Sequence, residues 1–195
     1  MLPAHPTQPA LKGLFVTWDK AFTPAELDQI VKLGDSLRLE TAGTTPSTDG
    51  YAHGTRVTRV AWIGRENAPA SLFARIEELV LAINAQIFRY DLSAVMNLQY
   101  TVYDDNEGSR FDWHQDYGTH GGMEPRKLTL SLQLSDPSDY DGCELQAQMG
   151  DHIDIASKDR GTLLCFPSYV AHRVTPITRG TRKCLVIWAV GPEFR

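Results

Sequence analysis

The rhythm of apolar and polar positions along this chain changes once. Thr23-Pro24-Ala25-Glu26 has the form of a capping box, with Thr as cap, Pro at the first helical position and Glu reaching back to the orphan amide. Leu27, Ile30, Val31 and Leu33 then recur at helical spacing, which predicts a helix from 24 to about 37. A second stripe (Leu72, Phe73, Ile76, Leu79, Val80, Ile83) predicts another from 69 to about 86. After it the period shortens. Runs rich in β-branched and aromatic residues, separated by turn signals, predict strands over 96–103, 110–117, 127–135, 143–149, 162–166, 170–176 and 183–190. The cleanest alternation lies between Lys127 and Leu134, with Leu128, Leu130, Leu132 and Leu134 on one face.

Helices followed by a succession of strands predict a mainly β domain, a double-sheet barrel buttressed by helices on one side. Residues 41–56, rich in Thr, Ser and Gly and without a period, read as a long surface loop, either a lid or a mobile insert. At 195 residues the chain suits one domain over 1–195. Within it, 1–94 supplies the helices and loop, and 95–195 the β core.

Composition narrows the function. Apolar residues make up 42% and charged residues 22%, as in ordinary globular domains, and no apolar run is long enough to span a membrane. The N-terminal Met1 to Ala10 lacks the pattern of a secretory signal, so a cytoplasmic protein is expected. A net charge of −5 without a Lys/Arg cluster argues against a nucleic-acid partner. Cys143, Cys165 and Cys184 are odd in number and widely spaced without a C-x-x-C pair, which argues against a disulfide frame or thiolate zinc site and predicts small buried hydrophobes.

The chemistry-bearing pattern is Phe111-Asp112-Trp113-His114-Gln115-Asp116. On a strand, residues two apart leave the same face, so His114 and Asp116 can meet one ion. Such pairs are common by chance and need a third ligand. His172, near the start of another predicted strand, supplies it. Two imidazoles and one carboxylate form a facial triad that leaves positions open on iron(II). A second pair, His152 and Asp154, competes, but the short segment from it to His172 leaves room for about one intervening strand, whereas the barrel needs the pair and the distal His on neighbouring strands joined by a longer excursion. His5, His53 and His120 lie in the tail and in Gly-rich loops, where a solvated histidine is expected; His53 could touch substrate if 41–56 closes. Arg182, past the predicted turn Pro176 to Gly180, offers a guanidinium fork that matches the far carboxylate of a dicarboxylic acid. Arg173 and Arg179 compete for that role; the first points to the opposite face from His172 and the second lies in the turn.

With these pieces in place the sequence resembles the prolyl-hydroxylase-like iron(II)/2-oxoglutarate oxygenases, close to the PKHD-type hydroxylases. The likeness covers about 95–195, with an echo at Arg56 to Trp62. It rests on Leu98-Gln99-Tyr100 with Tyr103, the His114/Asp116 pair, Arg126 to Thr129, Asp136 to Leu145, Gly161 before Phe166-Pro167-Ser168, His172 to Pro176, Gly180-Thr181-Arg182 and Trp188. Cys143 stands where related sequences commonly carry Gly. The resemblance implies a double-stranded β-helix (jelly roll, cupin-like) with Fe(II) on His114, Asp116 and His172. It also implies 2-oxoglutarate held by Arg182, with Tyr103 bonding the same carboxylate and Trp188 beside the co-substrate, and ascorbate as an accessory reductant. The implied reaction is hydroxylation of an unactivated C–H bond with release of succinate and CO2.

Three function classes remain. The first is a hydroxylase of an amino-acid or peptidyl residue, prolyl by analogy, its partner a small molecule, peptide or protein. The second is a nucleic-acid demethylase on the same scaffold, disfavoured because Trp188 stands where that branch carries a further Arg. The third is a cupin-like metal-binding protein without oxygenase activity, disfavoured by Arg182. Arg56, Arg59 and the 41–56 loop are candidates to line the substrate site.

Overall fold

A computed structural model of the chain describes residues 8–42, 55–118 and 124–194. Among them are the helices α1 (Pro24–Ser36) and α2 (Ala70–Ile83). The strands in the first half are β1 (Ala10–Lys12), β2 (Phe15–Trp18), β3 (Glu40–Ala42), β4 (Arg56–Ile63), β5 (Ala94–Val95) and β6 (Leu98–Asp104). They continue with β7 (Arg110–His114), β8 (Arg126–Gln133), β9 (Tyr140–Gly142), β10 (Leu145–Met149) and β11 (His152–Ile155). Last come β12 (Leu163–Pro167), β13 (Ala171–Val174) and β14 (Ile177–Val190). All pairings are antiparallel, in the order β1-β2-β12-β8-β14-β6-β4-β7-β13-β10-β11. The path folds into two facing sheets because β4 belongs to both: Arg59 to Ile63 pair with β6, and Arg56 and Val57 with β7.

The central strands have two buried faces of different character. Leu128, Leu130, Leu132, Leu185, Ile187, Leu98 and Tyr100 share one cluster with Leu27 and Ile30 of α1 and with Phe73, Ile76, Leu79 and Ile83 of α2. Each buried leucine contributes about 1.5–3 kcal/mol of transfer free energy. The alternate positions turn inward, and many are polar: Gln99, Thr101, Thr129, Ser131 and Arg182 are buried and line the cavity between the sheets. The polar side of the Lys127 to Leu134 alternation thus faces the barrel interior, not solvent. The capping box of α1 is present, Thr23 accepting from Glu26 N and Glu26 accepting from Thr23 N at 2.7 Å.

The structure corrects several sequence-based boundaries. Strand 110–117 stops at His114, so Asp116 is placed by the following loop, where its N–H donates to Ser168 O at 2.9 Å. The Pro176 to Gly180 signal is not a turn. β14 runs through it with a register shift between Ile177 and Arg179 opposite β9, and Gly180 (φ +77°) absorbs the irregularity. The first 94 residues are not only helix and loop: β2 and β4 are integral to the sheets. The second helix ends at Ile83 in a π-turn, Asn84–Phe88. His5, His53, His120 and most of the 41–56 loop lie outside the described residues.

Candidate metal centre

Antiparallel pairing of β13 with β7 sets His172 directly opposite His114, which brings the two imidazoles together from strands far apart in sequence. Asp116 completes the group: one potential ligand atom from each of the three side chains lies within 4.8 Å of the others, the span of one coordination sphere. His172 Nε2 is 3.4 Å from Asp116 Oδ2, and His114 Nε2 is 3.9 Å from Asp116 Oδ1. All three side chains are buried.

Local contacts fix each group in a form able to bind a cation. His114 Nδ1 lies 2.8 Å from Asp112 O and His172 Nδ1 lies 3.0 Å from Val170 O. A carbonyl only accepts, so a proton sits on each Nδ1, and in the neutral ring Nε2 keeps its lone pair facing the cluster. Burial, reinforced by His172, lowers the His114 pKa to about 3, so it is a neutral donor at physiological pH. Phe111 stacks on the His114 ring at 3.5 Å, and Phe166 meets the His172 ring edge-on at 4.7 Å. Thr129 Oγ1 (2.8 Å) and Trp188 Nε1 (2.9 Å) both donate to Asp116 Oδ2. Burial would raise the Asp116 pKa, but the His172 and His114 imidazoles and Arg126 outweigh it and hold the carboxyl well below its ordinary range. Oδ1 faces Arg126 only loosely, at 3.9 Å, and is the oxygen left for a metal. Two imidazoles and one carboxylate, without thiolate, fit a ferrous ion with open positions.

The triad opens on a cavity of about 510 Å³ whose lining includes Tyr103, Arg182 and Trp188. Arg182 is 1% exposed; its Nε and Nη2 donate to Gln133 Oε1 at 3.2 and 3.0 Å, its Nη1 approaches Cys143 Sγ at 4.0 Å, and its guanidinium carbon lies 5.3 Å from the Tyr103 ring centre. It forms no ion pair with any described residue, and a buried guanidinium without a counter-anion costs several kcal/mol. Tyr103 is fully buried, which pushes its phenol pKa up and keeps it a neutral donor. Cys143 sits at φ +49°, a left-handed conformation that favours Gly, and its thiol lies in the Arg182 environment, where burial pushes its pKa up to about 11.

The competing residues go elsewhere. His152 and Asp154 bond each other at 3.0 Å on β11, separated from β13 by β10, and Asp154 accepts from Leu14 N. Arg173 donates to Gln146, and Arg179 pairs with Asp141 at an exposed position. Arg59 pairs with Asp104 and Glu107, whereas Arg56 does line the cavity. Sequence reasoning missed the positioning roles of Thr129, Ser168 and the Trp188 indole, which depend on tertiary approach. The three cysteines are free and buried, as expected.

Comparison with known proteins agrees with this geometry. A model of the 2OG-Fe(II) oxygenase superfamily matches residues 98–190. A PKHD-type hydroxylase of Cupriavidus pinatubonensis is 31% identical over 168 residues, covering 77% of this chain and 69% of that protein. The PKHD-type hydroxylase PiuC of Pseudomonas aeruginosa is 38% identical over 86 residues, which is 42% of this chain and 38% of the relative's length. Among solved structures, a prolyl-4-hydroxylase of Pseudomonas putida superposes with a TM-score of 0.70 at 21% identity, covering 92% of this chain and 94% of that one. A prolyl hydroxylase from Trichoplax adhaerens, in complex with a hypoxia inducible factor peptide fragment, gives 0.71 at 18%, covering 92% and 84%. These likenesses establish the jelly-roll fold. Similarity at the C. pinatubonensis level, sustained over most of both chains, shows that this protein belongs to the PKHD-type hydroxylases of the 2OG-Fe(II) oxygenase superfamily.

Proposed function

We propose that the chain is an Fe(II)- and 2-oxoglutarate-dependent dioxygenase that hydroxylates an unactivated C–H bond of an amino-acid or peptidyl, prolyl-like substrate, with release of succinate and CO2. The observation that carries this reading is Arg182: a fully buried guanidinium, in the same cavity as the triad and without a carboxylate partner among the described residues. A dicarboxylic acid reaching from the metal to Arg182 supplies the missing anion. Peptide substrates enter by analogy with the Trichoplax adhaerens complex, and ascorbate as a reductant by family analogy alone.

His114, Asp116 and His172 would hold the iron, and the bound ion with 2-oxoglutarate supplies the oxidising power for C–H hydroxylation. The protein's own part is positional. Trp188 and Thr129 keep Asp116 Oδ2 occupied, so that Oδ1 and the two Nε2 atoms are presented together. Arg182, steadied by Gln133, orients the far carboxylate of the diacid, with Tyr103 as a second donor at that end. The inward residues Thr101, Ser131, Val186 and Cys184 shape the space between and limit water.

Arg182→Gln tests the reading. It removes a charge-assisted bidentate contact, so 2-oxoglutarate affinity, titrated into metal-loaded protein, is expected to fall by about 2–4 kcal/mol, roughly 30- to 1000-fold. Unchanged affinity would overturn the assignment. Succinate formation dependent on both iron and 2-oxoglutarate checks the reaction itself.

A further inference from the structure

Two more guanidinium groups flank the triad, and the proposed cofactors do not account for their charge. Arg126 lies over the Trp188 ring at 3.9 Å, and its side chain is 11% exposed. Its Nε is buried and hydrogen-bonds nothing among the described residues. Its nearest carboxylate oxygen, Asp116 Oδ1 at 3.9 Å, is the one left for the metal. On the other flank, Arg56 lies 4.8 Å over Phe111, the ring that stacks on His114. It donates to two neutral oxygens, Thr58 Oγ1 at 2.9 Å and Gln99 Oε1 at 2.7 Å. Both arginines line the same cavity as the triad. Glu40 also lines it, but is exposed on β3 and pairs with neither.

A divalent iron, Asp116, Arg182 and a doubly charged diacid cancel one another. Among the described residues Arg56 and Arg126 are then left without a counter-ion beside the cation, where like charge is costly in a partly dehydrated cavity. Stacking on Trp188 uses the flat face of the Arg126 guanidinium, and its N–H edge stays available for a planar, two-oxygen acceptor.

We propose that Arg126, assisted by Arg56, forms an anion subsite that selects substrates carrying a free carboxylate, so that the enzyme acts on a small acid such as a free amino acid and not on an internal residue of a protein. The inference rests on the iron/2-oxoglutarate reading above and chooses between the substrate classes it leaves open. The carboxylate lies against Arg126 and the carbon to be hydroxylated faces the metal. The arginine therefore sets both which substrates bind and which C–H bond is presented.

The test uses the full chain loaded with Mn(II) in place of iron, with 2-oxoglutarate at saturation. Binding of each free amino acid, its primary amide and its N-acetylated amide is followed by tryptophan fluorescence and thermal shift. At least one free acid is expected to bind, with its amide weaker by tenfold or more. Arg126→Gln is expected to lower that acid's affinity at least tenfold more than it lowers 2-oxoglutarate affinity, and to erase the acid-over-amide preference. Arg126→Lys keeps charge without the fork and should fall between; it serves alone if Arg126→Gln does not fold. Absence of binding by every acid, equal binding of acid and amide, binding by blocked forms only, or a preference that survives Arg126→Gln would each overturn the subsite. A Mn(II)-loaded protein that fails to bind 2-oxoglutarate overturns the earlier reading instead, and the two failures are told apart by that first titration.

Discussion

At the scale of single residues, Asp116 shows how a carboxylate is fixed in place for a cation. It leaves the strand that carries His114, and it is held by its own N–H on Ser168 O and by two donors on one carboxylate oxygen. Trp188→Phe keeps the ring that Arg126 covers but deletes one of those donors. Loss of such a supporting bond weakens metal binding by about 10- to 100-fold, so iron affinity of the variant should drop by that much. 2-Oxoglutarate affinity, measured at saturating metal, should change little. A larger effect on 2-oxoglutarate than on iron would place the indole in the co-substrate site. The presence of Trp188 was legible in the sequence, but its bond to Asp116 was not, because the two are brought together only by the approach of β14 to the loop after β7.

At the scale of elements, β14 decides whether Arg182 reaches the cavity. Gly180 lies at φ +77°, and a Cβ there would come within 2.0 Å of Asp139 O. Gly180→Ala therefore forces either the β9 pairing or the strand to shift, at a cost of about 1–3 kcal/mol. The expected result is a lower denaturation midpoint together with weakened 2-oxoglutarate binding, since Arg182 follows only two residues later; an unchanged midpoint would show that the irregularity is soft. In the sequence alone Pro176 to Gly180 reads as a turn, because Gly and Pro signal turns and bulges alike. The helices, the β8 alternation and the pairing of His114 with His172 were legible because each rests on periodicity or on strand adjacency. The strand β4 was visible only as an echo. Its residues Arg56 to Ile63 lack clean alternation because the strand pairs with one sheet at its start and the other at its end.

At the scale of the whole molecule, the buried triad couples folding to protons. In the folded, metal-free protein His114 titrates at about 3, through burial first and the neighbouring His172 second, whereas in the unfolded chain it titrates near 6.5. Between those values only the unfolded chain takes up the proton. Stability is therefore complete above about 6.5 and declines as pH falls, by up to about 1.4 kcal/mol per unit. Asp116, whose folded pKa is depressed, adds a further loss only below its unfolded value of about 3.9. Chelated protein at pH 5 should thus be less stable than at pH 7 by about 2 kcal/mol in urea titrations, and His114→Phe should flatten that slope. An equally steep slope in the variant would assign the proton to another group.

The two-sided strands carry an implication for how this protein can diversify. Along β6, β8 and β14, one set of alternate side chains seals the barrel against the helices, while the other set faces the cavity beside the triad. Thr101, Ser131 and Val186 can therefore be exchanged without touching the leucine seam that keeps the domain folded. A lineage built on this plan can retune what the chamber admits in small steps while its thermal tolerance stays nearly constant.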